Sequence, residues 1–295
     1  MKDQWATMKP ASKQWVRSIA LGMAAAATLP GQLAMASELN IDGKSPKDAA
    51  QAIFVHAEKY HRGWESAHSK GRMVLRNAAG KESTVPLESW AIDGEPYKET
   101  KKKLDAGATF IRYDSDGTGL VTFMYRNAKD LQWVWVPSLK RKMRINTQGV
   151  TGAFVGSEFA IEDLRSQLPE KFKSKLIGEE PCGELTENGE AVELTCWKFT
   201  RKPLAKKTGY SRMTTWVDQK HYRVIKTDFF DRNKEPLKTL EARHWELMQD
   251  EFWRAKYSDM KNLQTGRSST LWSDKLELKI DLSKGDFEAN RKLLR

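Results

Sequence analysis

The chain has 295 residues, 39% hydrophobic and 30% charged, and its 50 Lys and Arg against 39 Asp and Glu give a formal net charge of +11. That length and apolar content suit one large packed domain, and the basic balance favours anionic partners such as lipid headgroups or an acidic protein face. Five scattered histidines and two cysteines without metal-ligand spacing argue against a zinc centre.

The first residues read as a targeting segment. Lys2, Lys9, Lys13 and Arg17 precede a small-residue apolar core from Ile19 to Leu29, and Ala34-Met35-Ala36 is an A-x-A cleavage signal. The expectation is a cleaved signal peptide over residues 1–36 and one mature domain over 37–295, exported to the periplasm. Cleavage would remove four cations and Asp3 and lower the net charge from +11 to +8. No cysteine follows the cleavage point, so the mature chain is not expected to be a lipoprotein, and nothing later approaches the ~18 apolar residues of a membrane helix. Nucleic acid is a poor partner for an exported protein.

Ser45-Pro46-Lys47-Asp48 is a helix start, with Ser as N-cap, Pro at the first helical position and an acid in the first turn. The helix should run to about Arg62, with Ala49, Ala52, Ile53, Ala57 and Tyr60 on one side and Gly63 ending it. From Trp64 the period changes to two. Strands are expected at His68–Asn77, Thr84–Ile92, Ala108–Tyr113 and Gly119–Arg126, with Asp114-Ser115-Asp116-Gly117-Thr118 as a polar turn. Lys101-Lys102-Lys103 reads as a solvated loop or a charged strand edge.

The next hairpin is the most hydrophobic of the mature chain. Leu131, Trp133 and Trp135 alternate with Gln132, Val134 and Val136, and Pro137-Ser138 breaks the run before Lys140–Ile145. Opposite it stand Val121, Phe123 and Tyr125 on one face and Thr122 and Met124 on the other. Both faces are more apolar than a half-wet sheet needs, as expected where helices cover one side and a cavity is lined on the other.

Between the two runs of hairpins lies Phe154-Val155-Gly156-Ser157-Glu158-Phe159-Ala160-Ile161-Glu162-Asp163-Leu164. Ser157 is a candidate N-cap, Glu158 and Glu162 suit a helix start, and Pro169 would stop the helix after about three turns. Its broad apolar face should lie as a lid on a concave sheet, over a cavity that is the functional site. Further strands are expected at Phe172–Glu179, Ala191–Thr200, Tyr210–Asp218, Arg223–Asp231, Leu237–Met248, Phe252–Asp259 and Ser268–Ile280. Turns fall at Asn188-Gly189, Asp218-Gln219-Lys220 and Asn233–Pro236, and a closing helix would carry Phe287, Leu293 and Leu294. Cys182 and Cys196 flank the Glu187–Glu190 turn and read as a cross-hairpin disulfide, with two free thiols as the alternative. Strand after strand on short turns predicts a mainly β chain, a curved antiparallel sheet or incomplete barrel.

Several signals resembling chemistry have simpler explanations. Gly43-Lys44-Ser45 looks like the end of a phosphate loop, but Glu38 stands where its leading glycine belongs. Asp114-x-Asp116-Gly117 lacks the further acids of a calcium loop. Ser157 lacks flanking glycines for a nucleophile elbow, and Glu158, Glu162 and Asp163 have no partnered base nearby in sequence. No catalytic set, metal site or cofactor is expected. The basic runs Lys140-Arg141-Lys142-x-Arg144 and Arg201-Lys202-x4-Lys207 read as solvated loops, or as surfaces that dock on a membrane or an exporter.

The Gly156-Ser157-x-Phe159-x-x-Glu162-Asp163-Leu164 core, with Trp133-x-Trp135-x-Pro137-x-Leu139-Lys140-Arg141, Cys196, Pro203, Tyr210 and Trp216-Val217-Asp218, resembles the outer-membrane lipoprotein-sorting protein family over most of the mature chain. That family is similar to lipoprotein carriers of the LolA/LolB type. The resemblance implies an eleven-stranded incomplete barrel, helices over its mouth, an acyl-chain cavity beneath, and a companion exporter of the resistance-nodulation-division (RND) class. It implies a non-enzymatic carrier of lipid or lipidated protein with transient membrane-surface contact. An alternative is a scaffold protein of an exporter complex. The residues expected to line or cover the cavity are Phe123, Met124, Trp133, Trp135, Phe154, Gly156, Phe159, Ile161 and Leu164.

Overall fold

Antiparallel strands joined by short turns account for nearly all of the regular structure. The computed structural model describes residues 39–94, 99–100, 103–146, 149–165, 167–187 and 190–288. The signal peptide expected over 1–36, the run at Lys101-Lys102, the Asn188-Gly189 turn and the Leu293-Leu294 pair expected in a closing helix lie outside the described residues.

Helix α1 spans Pro46–Tyr60, and the Ser45 hydroxyl caps it by accepting from the Asp48 backbone N–H at 3.2 Å. The strands are β1 Ser66–Arg76, β2 Glu82–Asp93, β3 Glu99–Thr100, β4 Lys103–Arg112, β5 Gly119–Tyr125, β6 Leu131–Val136, β7 Arg141–Arg144, β8 Phe172–Glu187, β9 Glu190–Pro203, β10 Arg212–Asp218, β11 Val224–Phe230, β12 Pro236–Met248, β13 Phe252–Asn262 and β14 Ser268–Leu278. All pairings are antiparallel, in the order β7-β6-β5-β4-β2-β1-β14-β13-β12-β11-β10-β9-β8, with β3 pairing β4 off this path. The path holds thirteen strands, two more than the resemblance implied. The expected curved antiparallel sheet is present. Where the closing helix is expected to begin, the described residues form a short 3-10 turn, Lys284–Phe287.

Two features of this order matter. The first strand pairs with the last, β1 with β14 from Ala67↔Leu278 to Arg76↔Ser268, at the middle of the sheet. The two edges, β7 and β8, are therefore consecutive in sequence. Whatever joins Arg144 to Phe172 must pass from one edge of the sheet to the other.

The sheet also wraps. Lys171, next to edge strand β8, pairs with Asp130 of the β5–β6 turn at 3.1 Å, although ten inter-strand steps separate β5 from β8. In a flat sheet that would be roughly 48 Å at ~4.8 Å per strand, far beyond side-chain contact. The concave face is filled in two places. Helix α1 lays Ala50, Ile53, Phe54 and Ala57 on Trp197, Phe199, Val217 and Tyr222 of the β8–β11 half. Its far end is tied to the other half: Arg62 donates to the carbonyls of Gly94 at 2.8 Å and Ala106 at 3.3 Å, and Glu58 pairs with Arg126 at 2.6 Å. Arg201 joins this layer to the rest of the core. Its buried guanidinium lies over the rings of Phe54 and Phe172 at 4.9 Å, and its Nε donates to Thr215 Oγ1 at 2.8 Å.

The hairpin β8–β9 carries the Cys182–Cys196 disulfide, with Cα atoms 5.7 Å apart. Cys182 and Gly183 sit where the β8 register shifts between Pro181 and Glu184, and Gly183 has φ +112°. The expected cross-hairpin bridge is thus formed at a bulge, where the unpaired residue is free to turn its side chain toward the partner strand.

Candidate functional site

The connection between the edges, residues 149–171, crosses the concave face as a strap. The α-helix expected from Ser157 to Pro169 does not form. Short 3-10 turns occupy Gly149–Thr151, Ile161–Leu164 and Pro169–Lys171, and between them Ala153 and Ala160 form an isolated antiparallel bridge around a tight turn. Phe154 N–H donates to Phe159 O at 2.7 Å and Ser157 N–H to Phe154 O at 2.9 Å. Ser157 caps no helix, its Oγ accepting from the Phe159 N–H at 3.2 Å within this turn. Val155 and Gly156 take φ +46° and +76°, which no α-helix contains. The left-handed conformation is strained for β-branched Val155 and easy for Gly156. The physical reason is reach: a strap that turns its apolar residues down onto a wide face gains more burial than a helix with one stripe.

Beneath the strap lies the largest apolar cluster. Phe154 and Phe159 pack on Met73, Leu87, Leu120, Met213, Phe229 and Met260, with Tyr113 meeting Phe154 edge-on at 5.3 Å between ring centres. A cavity of about 110 Å³ remains there, lined by Phe154 and Leu164 from the strap and by Met73, Leu87, Ile111 and Leu271 from the sheet. At its far side Ser69, Gly71, Ser89 and Ser273 replace bulky side chains. At Gly71 a Cβ would stand 2.0 Å from the Trp272 carbonyl oxygen, so the position tolerates no side chain.

The strap is held by its acids. Asp163 accepts from the Tyr210 hydroxyl at 2.6 Å, from Lys238 Nζ at 2.6 Å and from the Ala160 N–H at 2.7 Å. Glu162 accepts from the Thr208 hydroxyl at 2.7 Å and the Gly209 N–H at 2.8 Å. Glu158 accepts from Asn262 Nδ2 at 2.7 Å and pairs with Arg267 Nε at 3.0 Å. Arg267 also reaches the Gly156 carbonyl at 2.9 Å, and Gln132 Nε2 donates to Ile161 O at 3.2 Å. At the far end Glu170 pairs with Arg126 at 3.1 Å, and Lys171 Nζ donates to Ala128 O at 2.5 Å. Burial raises the carboxyl pKa of Glu162, opposed by its hydrogen bonds from Gly209 and Thr208. Burial beside Asp163 also raises the phenol pKa of Tyr210. The three acids that looked like candidate general acids are thus each engaged as tethers.

The expected site residues separate into three places. Phe154 and Leu164 line the cavity, Phe159 and Ile161 belong to the same cluster, and Gly156 forms the strap turn. Met124 shares the concave side but packs on Ala106 and Leu168. Phe123, Trp133 and Trp135 do not meet the strap. They form a separate cluster with Phe110, Val121 and Phe287 on the opposite face, because alternate residues of a strand point to opposite sides and Leu120, next to Val121, faces in. The apolar character of that second face is explained by the C-terminal segment, whose Phe287 is fully buried against it.

Of the sheet partners of the strap, Tyr210 stands in the sequence as a member of the family pattern, while Lys238, Thr208 and Asn262 carry no sequence signal that ties them to the adjacent acids Glu162 and Asp163.

The fold has close relatives. Residues 108–292, more than half of the chain, match a family profile described as "Uncharacterized protein". Comparison with curated proteins finds no match. Among solved structures, a domain assigned as an outer membrane lipoprotein-sorting protein from Vibrio parahaemolyticus is 30% identical, with a TM-score of 0.70, and the match covers 84% of this chain and 100% of that one. A DUF1329 family protein from Desulfovibrio piger, 21% identical, also has a TM-score of 0.70 over 83% of this chain and 98% of its own. A LolA superfamily protein from Nitrosomonas europaea is 16% identical, with a TM-score of 0.58 over 81% and 97%. With a 30% identical relative matched over its whole length, the chain belongs to the outer membrane lipoprotein-sorting protein family, and it shares the fold of the LolA superfamily protein.

Proposed function

We propose that the protein is a non-enzymatic periplasmic carrier that shelters the acyl chains of a lipid or lipidated protein beneath the strap on their way toward the outer membrane. The reading takes residues 1–36 as a cleaved signal peptide, 37–295 as the working domain and an RND-type inner-membrane exporter as the donor. The observation that supports it best is the apolar concave face under a strap that is latched by side chains, with a cavity already opened between Phe154, Leu164 and the sheet. That cavity, about 110 Å³, is below the ~300–1,000 Å³ of most ligand sites, so loading requires the strap to lift or shift. Each methylene transferred from water contributes ~0.8 kcal/mol, so one long chain offsets the loss of several tethers. Phe154, Gly156, Phe159, Ile161 and Leu164 are the proposed cover, with Gly156 as hinge, and Met124 is the proposed lining of an extended pocket. Phe123, Trp133 and Trp135 would act only as the rigid back of the sheet.

Native mass spectrometry with lipid extraction, on the mature protein purified from periplasm, tests this. A lipid or lipopeptide near one-to-one is expected. A clean apo mass together with no uptake of a neutral fluorescent acyl probe would overturn the carrier.

A second reading is favoured by the same cavity. With Phe154 and Phe159 already buried in the cluster beneath the strap, the fold would also serve as a scaffold for an exporter complex without ever opening. Co-purification with the exporter and no extractable lipid would select it.

A further inference from the structure

The strap's latch opens onto a second, larger concavity that the carrier reading leaves unused. A groove of about 510 Å³ lies between the β9–β10 connection and the β11–β12 turn. Lys202, Lys206, Arg212, Arg232 and Lys234 line it, with the Ser211 side chain and the apolar rim of Pro203, Leu204 and Ala205. Among the described residues none of these five cations pairs with a carboxylate, whereas elsewhere on the sheet Arg72 pairs with Asp274, Arg76 with Glu82 and Arg243 with Asp259. Five like charges converging without counter-ions raise the local potential and stabilise an incoming anion. Arg212 is also pre-positioned: its guanidinium stacks over the Phe230 ring at 3.6 Å, which fixes the plane of its donor fork.

We propose that this groove binds the phosphate-bearing headgroup of an anionic lipid, resting on the carrier reading for its use but not for its test. Three observations favour a lipid headgroup over a free anion. The rim is apolar, with Leu204 about half exposed next to the lysines, as suits a molecule that carries chains beside its charge. The volume exceeds what one phosphate needs and falls within the ~300–1,000 Å³ range of ligand sites. The groove's inner wall is made by Thr208 and Tyr210, the residues that hold Glu162 and Asp163 of the strap. A headgroup seated there lies at the strap's edge, with its chains directed toward the concave face.

Calorimetric titration of the mature protein with a short-chain phosphatidylglycerol, below its micelle-forming concentration, tests the assignment against the same titration with inorganic phosphate. Lys206→Gln/Arg212→Gln/Arg232→Gln should weaken phosphatidylglycerol binding at least about tenfold, since charge-assisted bonds to phosphate are the strong ones in such a site. Removing as many charges elsewhere, in Lys140→Gln/Arg141→Gln/Arg144→Gln, should leave it near wild type. Arg212→Lys keeps the charge and spares the fold if the triple variant fails to fold, and its loss of the fork should still weaken binding several-fold. Equal losses in the two triple variants, or unchanged binding in Arg212→Lys and the groove triple alike, would overturn the proposal. Inorganic phosphate binding as tightly as the lipid would reassign the groove to a free anion and overturn it as well. Uptake of a neutral fluorescent diacylglycerol reports on the strap alone. Its absence, with phosphatidylglycerol binding intact and groove-dependent, would remove the carrier reading and leave the groove standing.

Discussion

At Asp163 and Lys238 two opposite charges meet at 2.6 Å with 5% of each side chain exposed, and neither is inert when its partner is lost. Lys238→Met leaves the Asp163 carboxylate buried with only Tyr210 and Ala160 to hold it, and is expected to cost about 3–5 kcal/mol. Adding Asp163→Asn should recover a large part of that loss, because a neutral amide needs no counter-charge. Denaturant unfolding of the two variants checks both values, and equal losses would mean that the pair is not the latch. His61, at the end of α1, controls a second residue-scale property. Its Nε2 meets the Tyr222 carbonyl at 3.2 Å, and burial, with Arg254 nearby, lowers its pKa to about 4. From pH 6.5 down to about 4 the unfolded chain binds a proton that the folded chain refuses, so stability falls as the pH falls through that window. The loss is at most about 3 kcal/mol, and His61→Gln should flatten the unfolding free energy across this range. Glu162 has the opposite sign. Its raised pKa makes the folded state hold a proton longer than the unfolded one, so its contribution weakens as pH rises above the ordinary carboxylate range.

At the scale of elements, the strap and α1 are built on different physics. Helix α1 is specified locally: an N-cap, a proline at its start and an apolar stripe set where it begins and which face it buries. The strap is made by what lies under it. Phe159→Ala removes an anchor that is 4% exposed and should cost about 3–5 kcal/mol while enlarging the cavity. The expected readout is a lower melting temperature together with faster uptake of a neutral acyl probe. Lower stability with unchanged uptake would separate the strap from any gating role. Replacing Phe159 by a charged residue is the poorer experiment, since burial of the charge would unfold the cluster it belongs to.

For the whole molecule, the long β8–β9 hairpin at the sheet edge is stapled by Cys182–Cys196, which span 14 residues. In the chain-entropy account a loop of that size contributes ~3 kcal/mol, so Cys182→Ala/Cys196→Ala should lower the melting temperature by several degrees without altering the strap. A lowered melting point accompanied by a changed probe uptake would show that the edge and the mouth are coupled.

How much of this was legible depends on distance along the chain. The strands from Ser66 to Leu278 and helix α1 follow from alternation, caps and turns, which act within a few residues, and the Cys182–Cys196 bridge follows from a hairpin that brings near neighbours together. The 154–164 stretch announced its importance by its apolar content but not its conformation. Its N–H and C=O groups are satisfied partly by Ser269, Gln132, Lys238 and Arg267, all distant in sequence, and local propensity for a helix lost to those partners. The same limit misplaced Phe123, Trp133 and Trp135. Alternation says that they share a face, and only the wrap of the sheet says which face is concave. The sequence by itself determined a long antiparallel β chain with one amphipathic helix, a stapled hairpin and a central apolar segment, because those are short-range properties of the backbone. Only the tertiary structure decided that β1 closes on β14, that the two edges are neighbours in sequence, and that the segment between them is a strap latched by Lys238, Tyr210 and Thr208, because each depends on where the sheet's curvature brings remote strands together.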